Sequence, residues 1–164
     1  MQQRKFKDLM EFAKFLEKVE RSYHGYETAT LTYLGDYLVK EAKGYIGNLQ
    51  EGGLAIDGWQ ELAESTKRDK ERKGYVYNQD YNPLYRTGAL KDSIGYKVAG
   101  SDLSVGSTSD IMIYQEMGTL YIPPRSVLGL AFYKNKIHIE RTLGDGLLYW
   151  MTQALPKFKK GSHL

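Results

Sequence analysis

Apolar positions in the first twenty residues recur at helical spacing. Phe6, Leu9, Met10, Ala13, Leu16 and Val19 follow i, i+3, i+4, i+7, with Lys and Glu between them. The pattern predicts an amphipathic helix that stops near His24-Gly25. A second stripe, Leu31, Leu34, Leu38, Ala42 and Ile46, predicts a second helix capped by Thr28 or Thr30. Gly35 falls inside that stripe, where glycine costs a helix about 1 kcal/mol relative to alanine. Gly44, Gly47, Gly52 and Gly53 close it in a loop. Trp59, Leu62, Ala63 and Thr66 then share one face of a third predicted helix beginning at Gly58-Trp59.

The period changes to two after residue 93. Ile94, Tyr96 and Val98 alternate, Ala99-Gly100-Ser101-Asp102 turns the chain, and Leu103, Val105 and Ser107 alternate again. This predicts a β-hairpin with a four-residue connection. Ile111 to Tyr114 reads equally as a buried strand or a short helix. Pro123-Pro124 forbids regular structure from Gly118 to Pro124. A short helix is expected over 126–134. A closing helix follows from Lys136, interrupted near Gly144-Asp145-Gly146. The fold class is therefore α+β in a single domain of 164 residues: N-terminal helices, a small antiparallel sheet and a C-terminal helix. A basic tail over 157–164 is expected to be flexible.

Composition narrows the chemistry. Twenty-three basic and 20 acidic side chains leave a net charge of +3, too balanced for a surface devoted to nucleic acid. No apolar run reaches the eighteen or so residues of a membrane helix. The absence of cysteine removes disulfides, thiolate metal sites and cysteine nucleophiles. Fourteen tyrosines against five phenylalanines favour a surface rich in contacts, since tyrosine is enriched where proteins meet. His24, His138 and His163 are scattered, with no metal-ligand spacing. There is no phosphate-cradling glycine loop and no nucleophile elbow. Asp110 and Glu116 are the one carboxylate pair that invites an acid–base reading, and nothing else converges on them. No enzyme activity, metal or cofactor is expected. The run Lys67 to Lys73, five basic and two acidic residues, reads as a solvated helix end or as a phosphate patch.

One ordered series is more specific. Trp59-x-x-Leu62 and Thr66-Lys67 precede a tyrosine-rich loop, 75–85, containing Tyr77, Tyr81 and Tyr85. Arg86-Thr87-Gly88-Ala89-Leu90 follows, with Thr87 placed to cap a short helical turn. The hairpin with Val105-Gly106 is next, then Tyr114-Gln115-Glu116-Met117-Gly118-Thr119 and Ile122-Pro123-Pro124-Arg125-Ser126. Over about residues 58–133 this series resembles the virion morphogenesis (tail completion) proteins of tailed phages and the related head–tail joining proteins. It lacks the proline-phenylalanine step that often follows the arginine there, and residues 1–56, the helical N-terminal part, fall outside the resemblance.

The resemblance implies a structural virion protein, made in the host cytoplasm and located at the neck. It would form a homo-oligomeric ring, usually sixfold, that completes the tail tube. Its partners would be copies of itself, the tail tube protein, and the head–tail connector or stopper protein. Double-stranded DNA would pass through the lumen without sequence-specific binding, and no membrane is involved. Near-neutral charge suits such a conduit, because a lumen that gripped phosphates would slow the genome. Rings use heterologous contacts, one patch against a different patch on the neighbour. The segments expected to reach a neighbour are 75–85 and 118–125. Trp59 and Leu62 are expected as core anchors, and Gly118-Thr119 and Pro123-Pro124 as loop formers. Arg125 is expected to meet a carboxylate, with Glu116 as candidate. The competing readings are a head-side connector component, a nucleic-acid-binding domain using 67–73 and 157–160, and a small hydrolase using Asp110 or Glu116.

Overall fold

The computed structural model describes residues 6–79 and 81–154. The basic tail from 157 and His163 lie outside the described residues. Seven elements follow in order: α1 (Leu9–Tyr45), α2 (Glu64–Arg72), α3 (Ala89–Asp92), β1 (Ile94–Ala99), β2 (Asp102–Ser107), α4 (Asp110–Met117) and α5 (Leu128–Ala154). The expected α+β class is found, with a two-stranded antiparallel sheet between long N- and C-terminal helices.

The two expected N-terminal helices are one helix of 37 residues. Asp8 caps it, accepting from the Glu11 backbone N–H at 2.8 Å. Neither Thr28 nor Thr30 is a cap; the Thr30 hydroxyl donates back to the Tyr26 carbonyl at 3.0 Å. The helix runs through Gly25 because α5 supports both sides of that position. The Tyr23 ring meets Trp150 edge-on at 5.1 Å, and the Tyr26 ring lies against Tyr149. Tertiary packing thus overrides a weak local breaker.

The same reasoning joins the two expected C-terminal helices into α5. Gly146 lies under Tyr26, and no interruption occurs at Gly144-Asp145-Gly146. Helices α1 and α5 form an antiparallel hairpin whose seam is aromatic and polar. Tyr37 donates to Asn135 Oδ1 at 2.8 Å, His138 sits between Tyr33 and Tyr37, and Trp150 donates to Ser22 Oγ at 3.2 Å.

The β-hairpin forms where expected, with Tyr96 opposite Val105 and Val98 opposite Leu103. Ala99 and Asp102 are themselves paired, so the connection is two residues, Gly100 and Ser101. Gly100 takes φ +61°, as such short turns require. The sheet packs on α1, and the Tyr96 ring covers Gly35 where a Cβ would collide with it. Gly35 is therefore a close-approach position within a helix.

The core sits at the C-terminal end of α1. Ala42, Ile46, Trp59, Ile94, Met112, Val127 and Ala131 form one buried cluster, flanked by Leu84, Tyr85, Leu90 and Leu128. Each large side chain buried there contributes about 1.5–3 kcal/mol. From this head the α1–α5 hairpin extends as an arm. The helix expected to start at Gly58 begins instead at Glu64. Trp59 lies in an extended segment whose backbone N–H bonds to the Gln50 carbonyl at 2.9 Å. Leu62 is half-buried, so the two do not share a helical face.

Candidate functional site

Three members of the ordered series meet where α4 reaches the start of α5. Trp59 is buried and its indole Nε1 donates to the Ser126 carbonyl at 3.1 Å. The Glu116 carboxylate accepts from the backbone N–H of Val127 at 2.7 Å and of Leu128 at 2.6 Å. It also accepts from the Ser126 hydroxyl at 2.7 Å. Glu116 thereby caps the N-terminus of α5, where unpaired N–H groups and the helix dipole favour an anion.

Arg125 is buried beside it but does not pair with Glu116, contrary to expectation. Its guanidinium donates to the Gln60 carbonyl at 3.0 Å and to the Glu61 carbonyl at 3.3 Å. Burial pushes it below the usual arginine value. The backbone N–H of Arg125 donates to the Gln115 carbonyl at 2.6 Å. Carboxylate and guanidinium therefore act separately, one holding α5 to α4 and the other holding the Trp59 segment to both.

Between them, residues 118–122 form a tight loop. Gly118 takes φ +73°, and a Cβ there would press on the Ile122 carbonyl and Pro124 at 3.0 Å. The Thr119 hydroxyl accepts from the N–H groups of Tyr121 and Ile122 at 3.2 and 3.0 Å. Pro123 is half-buried and Pro124 exposed. The turn leaves Leu120 and Tyr121 pointing outward, 95% and 93% exposed. Next to them α4 exposes Ile111, Ile113, Tyr114 and Met117, while Met112 alone of its large apolar residues is buried. This edge departs from an ordinary polar surface, and large exposed apolar patches are characteristic of interaction surfaces.

The tyrosine-rich loop is held mostly by its own chain. Lys70, in α2, is buried and donates to the carbonyls of Asn82 and Tyr85 at 2.7 and 2.6 Å. Burial, and then Arg86, push its ammonium below the ordinary lysine value. Asn82 accepts from the Tyr77 and Asn78 backbones, and Tyr81, Asn82 and Leu84 take positive φ. Such non-glycine conformations persist only where the surroundings fix them. Tyr81 donates to Glu71 at 2.8 Å, Tyr85 packs on the core, and Tyr77 is exposed with its ring edge-on to Tyr85. Arg86 pairs with Asp69 at 3.1 Å.

Gly88, at φ +91°, precedes α3, and no side-chain cap forms there; Thr87 Oγ lies 3.5 Å from the Ala89 N–H. Leu90 packs against the core. Lys70 and the Asn78–Asn82 pair are structural residues that the sequence reading missed. Lys70 sits within a run of charges, so nothing in the sequence separates it from its solvated neighbours.

Three further cations of the basic run are paired. Lys67 contacts Glu61 and Glu64, while Arg72 and Lys73 contact Asp69. His24 lies 3.4 Å from Glu27, and Asp110 is exposed in the first turn of α4. Among the described residues no group of three His, Asp or Glu could hold a metal ion, and no helix is long and apolar enough to cross a membrane. Comparison with family models, curated proteins and solved structures finds no match.

Proposed function

We propose that this chain is a structural neck protein of a tailed phage that assembles as a ring to complete the tail tube and join it to the head connector. The observation that carries the reading is the ordered series over 58–133. Trp59, Glu116 and Arg125 hold one another's segments together, and the intervening Gly118-Thr119 turn presents an apolar edge. Binding without turnover suits such a surface. Much of the basic run is already engaged within the chain, because Lys70 is buried, Lys67 pairs with Glu64, and Arg72 and Lys73 share Asp69.

Light scattering combined with negative-stain imaging tests this. The expected result is an annular particle near six times the 18.8 kDa chain mass, with a mass unchanged between low and high salt. Monomer at every concentration would remove the ring. Tight binding to duplex DNA that collapses with salt would transfer the reading to a nucleic-acid-binding domain.

A further inference from the structure

The arm keeps one register from head to tip. Tyr37 meets Asn135, Tyr26 lies on Gly146, and Trp150 donates to Ser22. That register sets Thr28 level with Gly144 and Thr30 level with Thr142. Both helices place poor helix formers at this level: Gly25, Thr28, Thr30 and Thr32 on α1, and Thr142, Gly144, Asp145 and Gly146 on α5. Packing does not account for them. A Cβ at Gly25 or at Gly144 would meet nothing within 4 Å, so neither glycine serves a close approach; Gly146 does, under Tyr26. No residue from 22 to 30 or from 139 to 145 is buried. The Thr30 hydroxyl, donating to the Tyr26 carbonyl at 3.0 Å, makes the back-bond that tends to bend helices.

Both flanks of this level are better secured. Toward the head, Leu34, Leu38 and Ala42 are buried, and Gly35 is covered by Tyr96. Toward the tip, Trp150 takes Ser22 and the Tyr23 ring, which clasps the two helices together. From 9 to 21, α1 consists chiefly of Leu, Met, Ala, Lys, Glu and Arg, all strong helix formers. We infer that the arm carries a hinge where Gly25–Thr32 faces Thr142–Gly146, and that the clasped tip swings about it as a unit relative to the head. Motion of this kind is collective and belongs to the microsecond-to-millisecond range. The few residues at the hinge absorb the backbone change while the packing on either side is kept. The hinge does not depend on the ring reading; it holds for a single chain or for an assembled one.

The full-length chain has no cysteine, so paired spin labels can be placed without removing any residue that competes for them. Glu17→Cys with Lys97→Cys spans the hinge, and Glu140→Cys with Lys97→Cys stays on its head side; all three positions are exposed. Dilution into unlabelled protein keeps each measured distance within one copy. Pulsed electron–electron resonance is expected to give a broader distance distribution for the first pair than for the second. In the background Gly25→Ala/Thr30→Ala/Gly144→Ala, the first distribution is expected to narrow to the width of the second, which stays as it was. Equal widths in the parent would overturn the hinge. A triple variant with a raised thermal midpoint and an unchanged first distribution would also overturn it, and would leave these residues as plain weak points of two helices.

Discussion

Glu116 and Arg125 stand nine positions apart and were expected to meet; each found backbone instead. Glu116 satisfies N–H groups that exist as orphans only because α5 begins at residue 128. Arg125 satisfies carbonyls of a segment that is extended rather than helical. The residue types were legible as chemistry, because a buried arginine and a carboxylate require partners. Their partners were not, because helix ends and extended carbonyls become neighbours only after folding. Glu116→Ala should lower stability by about 1–3 kcal/mol, read as a shift of the urea midpoint, since it leaves a helix terminus uncapped. Arg125→Lys should fail to restore a loss of similar size, because an ammonium lacks the fork that spans two carbonyls.

Among the elements, the β-hairpin was read almost to the residue, since a period of two repeated on both strands leaves one register. The two long helices were each divided in the reading, because glycine is a breaker by propensity and the packing that overrides it is invisible locally. Gly25 and Gly35 separate these effects. Gly25 faces open space, so Gly25→Ala should stabilise α1 by about 0.5–1 kcal/mol. Gly35→Ala carries the same propensity gain but drives a methyl into Tyr96, and should destabilise by about 1–3 kcal/mol.

Helix α2 carries a pH signature. Lys73, then Arg72, hold the Asp69 carboxyl below the usual carboxylate range, with Arg86 adding to the effect. A depressed carboxyl contributes stability above its unfolded value of about 3.9, and that contribution fades as pH falls through the lower folded value. Asp69→Asn should therefore flatten the acid limb of the stability curve while leaving its basic limb unchanged.

Across the whole molecule, the division into a packed head and a long arm could not be read from the chain. The first fifty residues carry helical periodicity without any sign of which element they embrace. The arm is joined largely through tyrosines that hydrogen-bond or stack across the seam, and this accounts for part of the unusual tyrosine count. A seam of this kind shares its polar tips with water, so the arm should exchange amide hydrogens faster than the head. Hydrogen-exchange mass spectrometry on the intact protein checks this. Protection over 31–46 and 127–135 should exceed that over 9–25 and 140–151.

The chain contains two tryptophans, and they report on different regions. Trp59 is sealed in the head with its indole bound to a carbonyl, whereas Trp150 is half-exposed on the arm against Ser22. About 30 Å of helix separates Ser22 from Ala42. The protein thus holds a pair of indole fluorophores, one sealed from water in the head and one partly open to it on the arm. Trp59→Phe would leave a single lamp that follows the arm alone. Its melting curve, set against that of Trp150→Phe, would show whether the arm unfastens before the head or the chain unfolds as one.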